Sequence, residues 1–201
     1  MAQARSLDRL SAYAAAVDTR VHNWSARGQD QLKTAAAVGA EAVKLGPRSA
    51  LAHIFSGETL ADIGDIPDAV KELDAAAALA STAYERSELE REKANLALDG
   101  GDKAGQLAHL ESAQQIQPGW VERTREVAEY YFVNNQAERA VGLVRQAISM
   151  APMDANLRLT FGAEALVRQD VSLADESYTA ANDLDPHDPG VESTLAMTHF
   201  T

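Results

Sequence analysis

The sequence of residues 118–152 is PGWVERTREVAEYYFVNNQAERAVGLVRQAISMAP, and that of residues 152–186 is PMDANLRLTFGAEALVRQDVSLADESYTAANDLDP. Pro118, Pro152 and Pro186 are therefore 34 residues apart twice over. Small residues keep the same spacing, since Gly162, Ala174 and Ala181 of the second stretch match Ala128, Ala140 and Ala147 of the first. The spacing predicts a repeat protein with a unit of 34 residues.

Each repeat is predicted to be a pair of antiparallel helices. Alanine or glycine is expected where two helices come so close that a larger side chain would hold their backbones apart. The proline ends the second helix, because it has no N–H to donate and disfavours helical geometry in the residue before it. One pair cannot bury its own apolar face, but a stack of pairs can. The sequence therefore predicts an all-α fold, an α-solenoid with about eleven helices and no sheet.

Small residues and a closing proline at this spacing resemble the tetratricopeptide repeat (TPR) family, over roughly residues 16–201. The resemblance implies a right-handed superhelix and a protein-binding function without catalysis. The family's common tryptophan early in the first helix is absent, and the residues in its place are His53, Glu90, Thr124 and Arg158.

The whole chain, residues 1–201, is predicted to form one array. It divides into a degenerate N-terminal repeat or cap (1–49), four repeats (50–83, 87–120, 121–154 and 155–188) and a capping or truncated helix (189–201). About three inserted residues near 82–86 predict that the following first helix is extended at its start. The N-terminal helix is expected to be amphipathic, with its apolar stripe at Leu7, Leu10, Ala14, Val17, Val21 and Trp24.

Composition excludes several classes of function. The net charge of −12 argues against non-specific nucleic-acid binding and leaves a basic protein partner as an alternative. The absence of cysteine excludes disulfides and thiolate chemistry. Neither a signal peptide nor a stretch long enough to span a membrane is recognisable, so the expected setting is cytoplasmic, without membrane insertion.

No catalytic, cofactor or metal site is predicted. Asp183, Asp185, His187 and Asp188 form the densest group of possible metal ligands, but a turn between repeats with Asp188 as a helix cap explains them better. Residues 100–103, Gly-Gly-Asp-Lys, lack the phosphate-loop pattern and are expected to be a turn between helices, with glycine in the left-handed conformation. The chain is therefore expected not to be an enzyme.

The partner is expected in a concave groove lined by the first helices, because side chains spaced alternately by three and four share one face of a helix. Phe132 and Leu159 are expected to supply most of the affinity, and the arginines the orientation. The candidate binding residues are Arg91, Asn95, Glu122, Arg125, Glu129, Phe132, Asn156 and Leu159.

Arg91 and Asn95 resemble half of the clamp with which tetratricopeptide co-chaperones hold a terminal carboxylate. The next helices depart from that clamp. Glu126 stands where an amide is expected, and Asn156 and Thr160 stand where basic residues are expected.

Three functional hypotheses follow. The first is a non-enzymatic scaffold or adaptor that binds a peptide or helix of another protein in the groove. The second is a regulatory or targeting domain of a longer protein that contains an enzyme. The third is a structural scaffold that self-associates through its C-terminal end.

Overall fold

A computed structural model describes the backbone of residues 2–186 and the side chains of residues 11–186. Every regular element within this range is an α-helix, which confirms the predicted all-α class. The ten helices are α1 (Ala2–Ser25), α2 (Gln29–Leu45), α3 (Ala50–Asp62), α4 (Ile66–Leu79), α5 (Ala83–Asp99), α6 (Lys103–Ile116), α7 (Val121–Val133), α8 (Ala137–Met150), α9 (Ala155–Val167) and α10 (Val171–Leu184). The helix predicted from Pro189 onward lies outside the described residues.

The helices form five hairpins, and the two helices of each hairpin are joined by three residues. The hairpins group into two compact units, unit 1 (Met1–Gln117) and unit 2 (Pro118–Thr201). In unit 1, α3 packs against α1 and α2, and α5 packs against α3 and α4. In unit 2, α9 packs against α8 as well as against its own partner α10.

Four of the hairpin turns share one backbone conformation. Their middle residues, Gly64, Gly101, Asn135 and Gln169, have φ of 87°, 73°, 58° and 63°. This left-handed conformation ends one helix and turns the chain into the next. Asp65, Asp102 and Asp170 then cap the following helix by accepting a backbone N–H. The turn predicted at residues 100–103 is thus confirmed, and the same geometry recurs where glycine is absent.

The small residues lie where helices meet. Ala69, Ala140 and Ala174, at equivalent places in their repeats, are completely buried. A Cβ added at Gly162 would lie 2.6 Å from the ring of Tyr178, closer than two non-bonded carbon atoms approach. The predicted role of the small positions as close contacts is therefore confirmed.

Helix α5 is longer than the first helices α3, α7 and α9. It has 17 residues, whereas α3, α7 and α9 have 13 each. The extra length lies at its start, where the Thr82 hydroxyl accepts the N–H of Glu85 and the Glu85 carboxylate accepts the N–H of Thr82. The predicted insertion before this helix has therefore lengthened the helix itself.

Among the side chains described on α1, the predicted apolar stripe does not form the buried face, and Leu7 and Leu10 lie outside the described side chains. Val17, Val21 and Trp24 are 38%, 56% and 64% exposed. The buried side chains are instead Ala12, Ala16, Thr19, Arg20 and Asn23. The helix was predicted correctly, but the choice of its buried face was wrong, because polar side chains that find partners on neighbouring helices occupy that face.

Candidate functional site

A cluster of charged side chains joins three first helices of unit 1. The Arg20 guanidinium on α1 lies 3.3 Å from the Glu58 carboxylate on α3, 2.5 Å from Glu88 and 3.5 Å from Glu92, the last two on α5. Arg91 on α5 pairs with the same three carboxylates, at 3.6 Å from Glu58, 3.4 Å from Glu88 and in direct contact with Glu92. We call Arg20, Glu58, Glu88, Arg91 and Glu92 the charged cluster.

Two aromatic rings enclose the guanidinium of Arg20. Its central carbon lies 4.2 Å from the ring centroid of Phe55 and 4.8 Å from that of Trp24. The Phe55 ring is buried, whereas Trp24 is mostly exposed and donates its indole N–H to Glu58 at 3.2 Å. Arg20 is therefore held by cation–π contacts as well as by carboxylates.

Two asparagines lie at the edges of the charged cluster. Asn95 donates its amide to Glu92 at 3.0 Å, and Asn23 donates its amide to the exposed Asp62 at 2.6 Å. Asn23 is only 6% exposed, yet its carbonyl oxygen Oδ1 has no hydrogen-bond partner. An acceptor left unpaired inside a protein costs free energy unless a donor reaches it.

Two carboxyl groups of this cluster, those of Glu58 and Glu92, have a raised pKa and hold their protons more tightly than ordinary glutamates. Burial, together with the neighbouring charge of Glu92, raises the pKa of Glu58 to about 8 against the lowering effect of Arg20. Burial likewise raises the pKa of Glu92 to about 8, against the lowering effect of Arg20 and Asn95. The two carboxyl groups therefore change their charge near neutral pH.

A second group of charges runs along α7 in unit 2. The guanidinium of Arg125 donates to Glu122, one turn before it, and to Glu129, one turn after it. The hydrogen bond from Arg125 lowers the pKa of Glu122, whereas burial raises the pKa of Glu129. All three side chains are partly exposed, at 31% for Arg125, 45% for Glu122 and 41% for Glu129.

Phe132 lies under an arginine. The guanidinium of Arg168 stacks 4.5 Å from the Phe132 ring and donates to the Phe132 carbonyl at 2.7 Å, at the end of α7. The ring is 4% exposed. The crevice beside it, between α7 and α9, has a volume of about 10 Å³, room for no more than a water molecule. An apolar group of a partner thus has no access to the ring while Arg168 covers it.

Comparison with known proteins finds neither a matching family model nor a matching curated protein. Solved structures do match. A thermophilic TPR protein of Thermus thermophilus superposes with a TM-score of 0.64 at 16% identity, over 86% of this chain and 92% of the other. MamA from Desulfovibrio magneticus RS-1 gives 0.59 at 17% identity, over 87% and 97%. YrrB, a TPR protein with an unusual peptide-binding site, gives 0.56 at 14% identity, over 83% and 84%.

The chain has the tetratricopeptide repeat fold. The resemblance drawn from the 34-residue spacing is thereby confirmed at the level of the fold. Among residues 2–186, no helix has the length and apolarity needed to cross a bilayer. The side chains described there include no group of three His, Asp or Glu residues arranged to hold a metal ion, and His187 and Asp188 lie beyond them.

The eight candidate binding residues divide between the two units of this tetratricopeptide fold. Arg91 and Asn95 lie on α5 in unit 1, and the other six lie on α7 and α9 in unit 2. Arg125, Glu129 and Phe132 line the same small crevice. On α9, Asn156 is exposed and Leu159 is half-buried.

Sequence reasoning missed the central member of the charged cluster, Arg20. It was not part of the apolar stripe predicted on α1, and nothing in the sequence around it gave a reason to single it out. Glu88, Arg91 and Glu92 lie within about one turn of α5, and this density of charge on a first helix was the one available signal.

Proposed function

We propose that the chain is a non-enzymatic scaffold that binds a peptide or helix of a partner protein through the exposed faces of its first helices. Two observations carry the proposal: partly exposed charges lie along α7, and on α9 the half-buried Leu159 packs against the core that α9 shares with α10. Surfaces that mix apolar and charged groups suit protein recognition. YrrB supports the proposal, since its fold is similar and it carries a peptide-binding site.

The burial of Phe132 changes which side chain supplies the apolar contact. A partner residue that covers one Leu-sized side chain gains about 1.5–3 kcal/mol, whereas an ion pair at the rim adds about 0–1 kcal/mol. Leu159 is half-buried and so available for this role, while Phe132 supports the surface from below. Arg125 already has two carboxylate partners and orients the ligand by exchanging one of them.

The test is a selection of displayed random peptides on the purified chain, followed by binding measurements on variants. Leu159→Ala is expected to weaken the selected peptides about tenfold, and Arg125→Ala by less. The matched controls are Val171→Ala and Arg145→Ala, which alter exposed residues of second helices in the same unit. Peptides whose affinity is unchanged in Leu159→Ala and Arg125→Ala, but which no longer bind one of the control variants, would contradict the proposal.

The other two hypotheses stay predictions. The sequence of the whole gene tests whether the chain is a domain of a longer, enzyme-containing protein. Self-association through the C-terminal end involves residues beyond the described range, and sedimentation over a range of concentrations tests it.

A further inference from the structure

We propose that a cleft in unit 2 binds the carboxylate of a glutamate side chain of a partner protein, at the guanidinium of Arg158. The inference goes beyond the proposed function, since none of the candidate binding residues lines this cleft. It comes from a comparison of equivalent places in the repeats. Where two hairpins of unit 1 hold a carboxylate against an imidazole, the hairpin of α9 and α10 has an arginine and an open space.

Two places in the repeat, 19 residues apart, face each other across a hairpin. In α3 and α4 these places hold His53 and Glu72, whose Nδ1 and Oε2 atoms lie 2.6 Å apart. In α5 and α6 the order is reversed, and Oε2 of Glu90 lies 2.9 Å from Nδ1 of His109. Each of these two hairpins therefore carries its own carboxylate as a partner for the side chain on the facing helix.

The other two hairpins depart from this pattern, with Thr124 and Leu143 at these places in α7 and α8, and Arg158 and Ser177 in α9 and α10. Nη2 of Arg158 donates to the Pro152 carbonyl at 3.2 Å. His53 has the equivalent contact, with its Nε2 3.3 Å from the Pro47 carbonyl. The Ser177 hydroxyl donates to a carbonyl of its own helix. Arg158 thus keeps the backbone partner of His53 but, within the described residues, has no carboxylate partner.

The cleft lies where this carboxylate is missing. It has a volume of about 160 Å³, and both Arg158 and Ser177 line it. A cavity of about 150 Å³ holds a benzene-sized molecule, so a glutamate side chain fits. Ile148, Phe161 and Leu173 supply apolar walls. The methylene groups of a glutamate can pack on these walls while its carboxylate accepts hydrogen bonds from the guanidinium.

The charges around the cleft favour an anion. Arg145 and Glu176 also line it, and both are exposed. Two guanidinium groups therefore face one carboxylate. In the part of the chain that the structure describes, no ion pair joins Glu176 to Arg145 or to Arg158. A ligand carboxylate thus gains a charge-assisted hydrogen bond at Arg158 and attraction from Arg145, without displacing an existing ion pair.

The test follows the side-chain Nε–H signal of Arg158 by NMR in the full chain. This nitrogen is buried and has no hydrogen-bond partner, so its proton is shielded from water and reports a charge that arrives at the guanidinium. N-acetyl-glutamate methylamide is expected to shift the signal at millimolar concentration, whereas the uncharged glutamine analogue is expected to leave it in place. Arg158→Lys identifies the signal by removing it.

The matched control is the Nε–H signal of Arg168, which is likewise buried without a partner but lies over Phe132, outside the cleft. It is expected to stay unchanged. Equal shifts at both arginines, or no shift at Arg158, would overturn the inference. An equal shift of the Arg158 signal by inorganic phosphate would show that the cleft accepts any anion and would overturn the assignment to glutamate.

Substitution of Ser177 supplies the missing carboxylate from the chain itself. Ser177→Glu restores the pattern of His53 and Glu72, so its melting temperature is expected to be about 2–4 °C above that of Ser177→Gln, which has the same shape without the charge. It is also expected to abolish the shift caused by the glutamate probe. A melting temperature no higher than that of Ser177→Gln would show that the cleft does not stabilise a carboxylate, contrary to the inference.

This inference and the proposed function fail separately. One glutamate side chain binds at millimolar concentration, too weakly to be retained in a selection of displayed peptides. The shift of the Arg158 signal is expected to persist in Leu159→Ala, the variant that removes the apolar contact of the proposed function. Loss of the shift in that variant would show that the cleft is not a site of its own and would overturn the inference.

Discussion

At the scale of single residues, the close contacts of glycine and alanine decide how helices pack. Gly162 on α9 faces the buried ring of Tyr178 on α10, and a methyl group there would overlap the ring. Gly142 on α8 has no atom within 4 Å of an added Cβ. The two glycines therefore offer the same substitution in opposite surroundings.

Gly162→Ala is expected to lower the free energy of unfolding by about 1–3 kcal/mol, because the core must shift to admit the methyl group. Gly142→Ala is expected to raise it by about 0.5–1 kcal/mol, because alanine loses less backbone entropy in a helix. Chemical denaturation of both variants measures the difference. Stabilisation by both would show that α9 and α10 have space between them at Gly162.

The sequence predicted Gly162 as a small position, because its 34-residue spacing from Ala128 is visible without a structure. It did not predict the left-handed turns at Asn135 and Gln169, because neither residue type marks such a conformation as clearly as glycine does. It also gave no sign that Phe132 is covered, since the covering residue, Arg168, is 36 positions away. Contacts of this kind depend on which helices are neighbours in the folded chain.

At the scale of the helices, the charged cluster holds α1 to α3 and α5 through Arg20. Apolar spacing identified α1 as a helix but not its buried face, because the burial of Arg20 depends on carboxylates 38 and more residues away. The carboxylates in turn make the packing of these helices sensitive to pH. Whether stability rises or falls with pH follows from the pKa values of these carboxyl groups in the folded and unfolded states.

Glu58 and Glu92 have a pKa of about 8 in the folded chain. In the unfolded chain a glutamate has a pKa of about 4.3. A raised pKa stabilises the fold fully below the unfolded value, and this contribution is lost as the pH rises through about 8. The melting temperature is therefore expected to be lower at pH 9 than at pH 6.

The variant with Glu58→Gln and Glu92→Gln keeps neutral side chains at all pH values and is expected to lose most of this difference. Glu41→Gln, at an exposed site on α2, is the control and should keep it. Melting curves by circular dichroism at the two pH values measure the effect. The same pH difference in the double variant and in the unaltered chain would show that other groups cause it.

At the scale of the whole molecule, the two compact units meet in the sequence between Gln117 and Pro118. Pro118 is the first of the three prolines whose spacing revealed the repeat. The division therefore falls at the end of a repeat and leaves complete hairpins in each unit. Within unit 1, α3 packs against the hairpin of α1 and α2, and α5 packs against the hairpin of α3 and α4.

A fragment of residues 1–117 is expected to fold by itself, because the stability of a repeat array comes from contacts between neighbouring hairpins. Its core includes Ile54, Phe55 and Leu73, all buried within unit 1. The fragment also contains every member of the charged cluster, so it should melt cooperatively and show the same lower melting temperature at pH 9 as the full chain. Circular dichroism of the fragment at pH 6 and pH 9 gives both results.

A disordered spectrum would show that unit 1 needs residues after Gln117 to fold. If the fragment is helical but melts at the same temperature at both pH values, groups outside the charged cluster cause the pH dependence of the full chain, since Arg20 and its carboxylates are all present in the fragment.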